Sequence, residues 1–402
     1  MTISALVLAE APIKLWGLSS TERLKRQLLE IGGISWAADG RDLPGSGQVL
    51  LLNGHFLFEI RTLKAILENP DSVLVSPADG QPAAALVDAA RLGELVDYLA
   101  SSSPQSNPDF PDGLQKLEPG DFSAFNETLR SALPPLLEHI TSSRKSELEN
   151  LLYGNAYRGI TDLVTKFVWP RPARQLVHWC AALRLSPNQV TSIGLVLVLA
   201  ACYFFLNGEY VAGLLSGWVM TLLDTVDGKL ARVTIQSSPF GHLYDHIIDL
   251  VHPPFWYIFW GMSLADVSPM LGQDFTAMSW WLVGAYVLGR VFEGVFSLLG
   301  NCSIFTWRPF DAWFRLVTAR RNPCLIILSL SVILGRPDWG FKAVVAWSVL
   351  TTGVLGLRLL QGLARRVFSG PLHSWLSADG VADGPHAFSF RVFGGTRSAY
   401  SA

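Results

Sequence analysis

Apolar residues are distributed unevenly along this chain of 402 residues. Up to about residue 165, short apolar stretches alternate with amphipathic ones, whereas from about residue 190 onward long apolar runs recur at close intervals. A helix that crosses a bilayer needs roughly 20 apolar residues, and the front half holds no run of that length. The pattern predicts an α-helical integral membrane domain preceded by a cytoplasmic α/β domain.

Six apolar runs predict six transmembrane helices, at residues 190–206, 211–223 (continuing helically toward residue 232), 241–264, 280–299, 323–334 and 341–360. The fifth run is short, and its flanks have to supply the missing length. Lys and Arg gather before the first run and in alternate links after it, and cytoplasmic links carry an excess of these residues. We therefore expect a multi-pass protein with both termini in the cytoplasm.

Short strands and helices alternate in the front half. Strands are predicted at 2–9, 48–53, 72–76 and 83–87, and helices at 20–31, 59–68 and 91–100. Alternation of this kind favours a parallel sheet. Residues 101–120 are rich in Ser, Pro, Asp and Gly and are typical of a linker, so the α/β domain and its linker are expected over residues 1–120.

The remaining boundaries follow from the same pattern. Residues 122–157 look helical, which predicts a helical connector over residues 121–164. Aromatic and basic residues alternate over residues 165–185, as in an amphipathic helix that lies on a membrane surface. The membrane domain is expected over residues 165–369, and the weakly periodic residues 370–402 are expected to form a mobile tail.

Composition agrees with a membrane protein. Half of the residues are hydrophobic, 16% are charged and the mean hydropathy is +0.32, which is too apolar for an ordinary soluble protein. The four cysteines have no CxxC spacing, so free thiols are expected. The net charge is −2 and no basic tract points to nucleic acid. The first nine residues lack the basic start of a cleavable signal peptide.

Four aspartates lie where the chain turns into predicted membrane. Asp224 and Asp227 are three residues apart, and Asp245 and Asp249 are four apart, so each pair occupies one face of its own helix. Carboxylates at membrane depth are costly and usually functional. Their natural partner is a hard divalent cation, Mg²⁺ or Mn²⁺, acting on phosphate oxygens.

Small residues and one arginine accompany these aspartates. Gly228 and Ala231 leave room beside Asp227 for a backbone or a ligand, and Gly241 does the same one turn before Asp245. The planar cation of Arg232 suits phosphate oxygens. The two helices are expected to form a carboxylate cup for a metal ion and a diphosphate.

The spacing of these eight residues within a window of 26 resembles the signature of the CDP-alcohol phosphotransferases (CDP-alcohol phosphatidyltransferases). The resemblance implies transfer of a phosphoryl-alcohol group from a CDP-alcohol to an acceptor hydroxyl, with release of CMP. It implies two cations held by the four aspartates, and it gives Asp249 the role of general base. It also places Gly228, Ala231, Arg232 and Gly241 beside the nucleotide diphosphate.

A second part of the resemblance is the sequence Pro187-Asn188-x-x-Thr191 at the start of the first apolar run. In the resembled family a Pro-Asn-x-x-Thr sequence helps to hold the nucleotide. The alternative interpretation is a helix start with proline in its first turn, and both can hold together.

Arginines of the later runs are candidates for the acceptor site. Arg290 and Glu293 form an intramembrane pair, which is either a structural ion pair or part of that site. The fourth run is followed by Arg308, Arg315, Arg320 and Arg321. They either obey the positive-inside rule or bind the phosphate of an acceptor or the headgroup of an anionic lipid. This stretch resembles family members that act on inositol phosphates.

The donor is therefore expected to be of the CDP-diacylglycerol or CDP-inositol type, and the acceptor to be a hydroxyl compound such as an inositol phosphate. Membrane lipids are expected partners, and a homodimer is implied by the resemblance alone. The front domain resembles the sugar-phosphate nucleotidyltransferases in layout. Its first loop, LAEAPIKLWG, lacks a glycine-rich phosphate loop, and His55 stands where that family has a metal-binding aspartate. A degenerate, inactive relative kept for assembly or regulation is expected.

Two other functions compete with this hypothesis. An ion-coupled transporter also carries intramembrane carboxylates, but usually near the midplane and within internal repeats, and no repeat is visible here. A catalytically silent membrane scaffold would be expected to lose one of the four aspartates, and all four are present.

Overall fold

The structure is a computed structural model, and it describes residues 3–40, 43, 46–100, 110–265, 269–300, 302–378 and 380–395. Its first part is an α/β unit, in which most of the predicted elements lie where they were expected. The strands are β1 (Ile3–Glu10), β2 (Ile34–Trp36), β3 (Gln48–Gly54), β4 (Phe56–Phe58), β5 (Ser72–Val75), β6 (Pro82–Asp88) and β7 (Gln115–Leu117). The helices are α1 (Ser20–Ile31), α2 (Ile60–Leu67) and α3 (Leu92–Ala100).

The sheet is mixed, so the prediction of a parallel sheet was wrong. Its strand order is β2-β1-β3-β6-β5-β7, and β6 runs antiparallel to both of its neighbours. The reason is the short link from β5 to β6, which the Ser76 N–H closes by donating to the Gln81 carbonyl at 2.9 Å. A parallel pair would need a crossover of a dozen or more residues.

Two predicted segments between the domains also differ. The linker prediction fails at residues 115–117, which form β7 and pair with β5, while residues 101–109 lie outside the described part. The first half of the predicted helical connector instead contains β8 (Phe125–Asn126), β9 (Ser131–Ala132) and β10 (Leu137–His139), before α4 (Lys145–Asn155). β10 pairs with β4, a strand about 80 residues earlier, and local periodicity cannot reveal such a pairing.

The second part of the chain is helical. The helices are α5 (Leu163–Phe167), α6 (Pro170–Ala182), α7 (Pro187–Leu206), α8 (Tyr210–Val233), α9 (Pro239–Ala265), α10 (Pro269–Leu299), α11 (Pro309–Val317), α12 (Arg321–Ile333) and α13 (Pro337–Ser369). Five of the six predicted apolar runs lie wholly within one of these helices, and the fifth extends one residue, Leu334, beyond α12.

Three of these helices are long and apolar enough to cross a membrane: α7, residues Asp274–Leu299 of α10, and α13. The pair α11 and α12, bent by 43°, gives a fourth candidate if it counts as one span. The described residues thus provide three or four candidate spans, and six spans are not established. α8 and α9 carry the four aspartates, which lower their hydropathy.

The core of the helical part brings the ends of three helices together. α7 and α8 are joined by a link of three residues and run antiparallel, so the start of α7 lies beside the end of α8. The buried Trp256 of α9 donates from its indole nitrogen to the Val198 carbonyl of α7 at 3.1 Å. Phe205, Trp256 and Phe341 belong to the same buried cluster. This packing fixes α9 against α7 and α8.

The C-terminal segment has contacts that its sequence did not indicate. A 3-10 turn at Trp375–Ser377 and α14 (Ala387–Phe393) lie within the predicted mobile tail. Trp375, Leu376 and Phe393 are buried in one cluster with Phe305. Residues 370–378 and 380–395 therefore form part of the folded structure, and the end of the tail lies outside the described residues.

Candidate active site

Three of the four predicted metal ligands converge. Asp224 of α8 and Asp245 and Asp249 of α9 each offer one carboxylate oxygen, and these oxygens lie within 4.8 Å of one another. Both α8 and α9 pack against α7, and each aspartate pair occupies one face of its helix, which allows the carboxylates to meet.

Asp227 stands next to this group with a partner of its own. It is 4% exposed, and its Oδ2 accepts a hydrogen bond of 2.5 Å from the Thr191 hydroxyl of α7. The same hydroxyl lies 3.1 Å from the Pro187 carbonyl, but its single proton goes to the nearer carboxylate. Thr191, predicted as a nucleotide contact, therefore orients a candidate metal ligand.

Arg321, predicted to contact the acceptor, lies instead at the aspartates. Its Nη2 is 2.5 Å from Asp224 Oδ2 and its Nη1 is 2.5 Å from Asp249 Oδ1. One guanidinium thus joins a carboxylate of α8 to a carboxylate of α9. The side chain of Asp249 is the more exposed of the two partners, at 37%.

Gly241 permits close packing of α9 on the start of α7. A Cβ atom at this position would lie 2.6 Å from Asn188 Oδ1 and 3.0 Å from Ser238 Oγ, which is closer than real Cβ contacts allow. Ser186 caps α7 by accepting from the Gln189 N–H, with Pro187 in the first turn, so this start is fixed locally. The space that Gly241 leaves is taken by Asn188.

Gly228 and Arg232 lie in the last turns of α8, after Asp227. A Cβ atom on Gly228 would be 3.6 Å from Arg232 Nη1, an ordinary contact, so packing alone does not require glycine here. Arg232 Nη1 donates to the Ala156 carbonyl at 3.1 Å, which ties α8 to the connector. Ala231 is half-buried beside it.

Sequence reasoning missed a role for Lys229. This residue is 5% exposed, and its Nζ lies 3.9 Å from the centre of the Tyr157 ring. This contact anchors the end of α8 on the connector, two residues after Asp227. The available signal was a lysine within the aspartate pattern itself.

The predicted acceptor arginines do not form one group. Arg290 Nη1 lies 3.9 Å from a Glu293 oxygen, as predicted from their spacing, and Arg320 is paired with the same carboxylate. Arg290 and Arg320 line one small cleft between α10 and α13. Arg308 lies apart from them, stacked 4.4 Å over the Trp307 ring.

Two further arginines lie near Arg320: Arg315, which was predicted with it, and Arg130, which was not. The guanidinium groups of Arg130, Arg315 and Arg320 lie 5.8, 5.3 and 6.0 Å from the centre of the Phe305 ring. Burial, together with the charges of Arg158 and Arg315, lowers the pKa of Arg130 to about 9. Arg130 comes from the connector, 190 residues before Arg320, so no sequence pattern could have linked them.

The residues present fit a divalent cation. The convergent donors are carboxylate oxygens, the ligands that Mg²⁺ and Mn²⁺ prefer, and among the described residues no other group of metal-ligating side chains meets in this way. Arg321 now supplies the positive charge that the cluster needs.

Comparisons with known proteins agree with this geometry. A sequence model of the CDP-alcohol phosphatidyltransferase family matches residues 184–355. The archaetidylinositol phosphate synthase of Pyrococcus horikoshii is 33% identical over 125 residues, which cover 29% of this chain and 59% of that protein. The cholinephosphotransferase 1 of Danio rerio is 30% identical over 233 residues, covering 44% of this chain and 59% of that protein. The cholinephosphotransferase 1 of Gallus gallus is 29% identical over 127 residues, which cover 29% of this chain and 36% of that protein.

The chain spans less than two thirds of the length of each of these relatives. The matched segment contains all four aspartates and the start of α7, whereas the α/β unit lies in front of it. The nucleotidyltransferase resemblance of that unit stays a prediction. Residues 184–355 of this chain form a CDP-alcohol phosphatidyltransferase domain.

Proposed function

We propose that this protein is a membrane phosphotransferase that moves a phosphoryl-alcohol group from a CDP-alcohol to an acceptor hydroxyl and releases CMP. Its place would be in the synthesis of phospholipids or inositol-phosphate lipids. The observation that carries this proposal is the convergence of Asp224, Asp245 and Asp249 within the family domain.

The aspartates would hold the metal. Asp224, Asp245 and Asp249 would be direct ligands, and Asp227, oriented by Thr191, would complete the set for two ions. Bound Mg²⁺ or Mn²⁺ would neutralise the diphosphate and stabilise the leaving CMP phosphate. Pro187, Asn188 and Thr191 would hold the nucleotide from the start of α7. The diphosphate would lie beside Gly228, Ala231, Arg232 and Gly241.

Asp249 is our choice for the general base. It is the more exposed of the two carboxylates that Arg321 joins, so an acceptor can reach it. It would take the proton of the acceptor hydroxyl while the acceptor oxygen bonds to the phosphorus that bears the alcohol. The bond from that phosphorus to the bridging oxygen breaks, and CMP leaves with the electron pair.

The surrounding charges favour an anionic acceptor. Arg290 and Arg320 share one carboxylate, Glu293, and Arg130 and Arg315 add two more cations near it. This surplus of arginines suits a phosphate group better than a neutral or cationic acceptor. A relative named archaetidylinositol phosphate synthase supports a phosphorylated inositol as acceptor. Arg308 and Arg321 would bind the acceptor only if their side chains moved away from Trp307 and from the aspartates, respectively.

We further infer six membrane spans, with α8, α9 and the bent pair α11–α12 crossing as well as the three most apolar helices. Both termini and the aspartates would then face the cytoplasm, where nucleotides are found. The proposal includes membrane lipids as partners and a homodimer as the working assembly.

The test is release of CMP by the purified full-length protein in lipid nanodiscs. CDP-diacylglycerol and CDP-inositol would be offered with inositol or inositol phosphate in Mg²⁺ or Mn²⁺, and products followed by mass spectrometry. We expect CMP with one donor, and a loss of roughly 100-fold or more in Asp249→Asn because the base is removed.

The matched control is Asp274→Asn, which neutralises an exposed carboxylate of α10. It should keep the wild-type rate. A normal rate in Asp249→Asn would remove that residue from the role of base. No CMP from any donor would leave the scaffold or the ion-coupled transporter as the better hypothesis.

A further inference from the structure

A second basic site lies outside the family domain. A cavity of about 720 Å³ opens between the connector, helices α5 and α6, and the C-terminal segment. Five cationic side chains line it, namely Arg158, Lys166, Arg171, Arg174 and Arg391. All five lie before residue 184 or after residue 355, so the cavity is built by parts of this chain that flank the matched segment.

Among the residues that the structure describes, these cations have no acidic partner. Within the described ranges, no carboxylate lies within 4.0 Å of any of the five groups. Lys166 Nζ donates to the Gly159 carbonyl at 2.7 Å, which leaves its charge uncompensated. Like charges gathered around one cavity repel each other, and an anion would relieve that repulsion.

The lack of an acidic partner is clearest in the pKa of Lys166. Burial lowers the pKa of its ammonium group to about 8, because the charged form loses water without gaining a counter-ion. An anion within the cavity would stabilise that charged form.

The mouth of the cavity lies at a polar–apolar boundary. Phe167, which lines the cavity, is 59% exposed, and the neighbouring Val168 is 50% exposed. Trp179 and Leu183 continue this exposed apolar surface along and just beyond α6. Cations beside exposed aromatic and aliphatic side chains are typical of a helix that lies on a membrane surface.

The cavity adjoins the aspartate site without being part of it. Tyr157 lines the cavity and carries Lys229 on its ring, and Lys229 lies two residues after Asp227. Arg158 interacts electrostatically with both Arg232 and Asp245. An anionic ligand in this cavity would therefore change the electrostatic potential at the end of α8.

We propose that this cavity binds the phosphate group of an anionic ligand, held by charge-assisted hydrogen bonds from Arg171, Arg174 and Arg391. The planar guanidinium fork matches phosphate oxygens, and three such groups on two separate segments can surround one phosphate. The phosphate belongs either to a phospholipid headgroup or to a soluble phosphate compound. This binding does not depend on the proposed transferase activity.

The test compares Arg171→Gln/Arg174→Gln with Arg365→Gln/Arg366→Gln in the full-length protein. The control pair removes the same charge from exposed positions near the end of α13. One arm titrates inorganic phosphate calorimetrically into protein in phosphatidylcholine nanodiscs with EDTA, which excludes metal-bound phosphate at the aspartates. The other arm uses native mass spectrometry to count phosphatidylglycerol retained from mixed nanodiscs.

We expect Arg171→Gln/Arg174→Gln to weaken binding about tenfold or more in at least one arm, and the control to match the wild type. Arg391→Gln, on another segment, should weaken binding in the same arm. This variant serves as the test if the double variant fails to fold. Loss in the phosphate arm identifies a soluble ligand, and loss in the lipid arm alone identifies a headgroup. Equal binding by all variants and the wild type in both arms would overturn the proposal.

Discussion

At the scale of single residues, Arg321 acts as the counter-charge of the aspartate cluster. Asp224 and Asp249 come from different helices, and both would lose solvation on burial without a cation between them. The guanidinium satisfies both carboxylates at once, in the place where a metal ion would otherwise supply positive charge. The guanidinium of Arg321 and the proposed metal ion would thus serve the same carboxylate ligands.

This arrangement predicts how Arg321→Gln behaves. Without metal, the free energy of unfolding of the variant should be lower than that of the wild type by about 2 to 3 kcal/mol. This loss is somewhat smaller than for a fully buried pair, because Asp249 is partly exposed. Added Mg²⁺ should raise its melting temperature more than that of the wild type, since two carboxylates have lost their partner. Thermal unfolding with and without Mg²⁺ measures both effects.

The control is Arg320→Gln, which removes the adjacent charge but leaves Asp224 and Asp249 paired. It should show the wild-type response to Mg²⁺. The same Mg²⁺-dependent gain in both variants would mean that Arg321 has no special relation to the cluster.

At the scale of helices, the contact between α7 and α9 decides where the aspartates lie. Gly241→Ala would place a methyl group 2.6 Å from Asn188 Oδ1, so we expect a loss of about 1 to 3 kcal/mol from overpacking. Asn188→Ala in the same chain should restore much of this stability by making room. Gly228→Ala should cost little, because its Cβ meets Arg232 at an ordinary 3.6 Å.

Chemical or thermal unfolding of these variants separates packing from ligand binding. If Gly241 serves packing, the double variant recovers stability whether or not nucleotide is bound. A fully stable Gly241→Ala protein with weakened binding of a CDP-alcohol would instead support a contact with the nucleotide alone.

The elements show what sequence patterns can and cannot predict. α1 was predicted at its observed bounds because its cap and its apolar spacing are both local, and Ser19 does accept from the Glu22 N–H. β8 to β10 were missed because such short strands are defined by distant partners, as β10 is by β4. The aspartate pairs follow from helical spacing, whereas the contact of Arg321 with Asp224 joins residues 97 positions apart. Spacing within a helix is visible in a sequence, and contacts between distant helices are not.

At the scale of the whole molecule, the α/β unit is joined to the helix that carries Asp224 and Asp227. Arg23 of α1 is 3% exposed, and its Nη2 donates to the Val233 carbonyl at the end of α8 at 2.9 Å. Arg26 donates to the Thr234 carbonyl at 2.8 Å. Burial lowers the pKa of Arg23 to about 10, so it remains charged at neutral pH. Two cations at a helix C-terminus satisfy its last carbonyls and favour its dipole.

This contact gives the α/β unit a structural role that does not require nucleotide binding, and Arg23→Met tests it. The variant leaves the Val233 carbonyl without its Arg23 donor in a buried place, which should cost about 1 to 3 kcal/mol, whereas the Leu15 carbonyl still accepts from the Leu18 N–H. Limited proteolysis should then cut between the two parts faster than in the wild type. CMP release should fall as well, since the end of α8 is no longer fixed.

Lys25→Met, an exposed change on the same helix, should leave both measurements unaltered. Unchanged proteolysis in Arg23→Met would show that the α/β unit is held by apolar packing, such as the buried cluster that contains Trp16, Val226 and Leu230, rather than by this arginine.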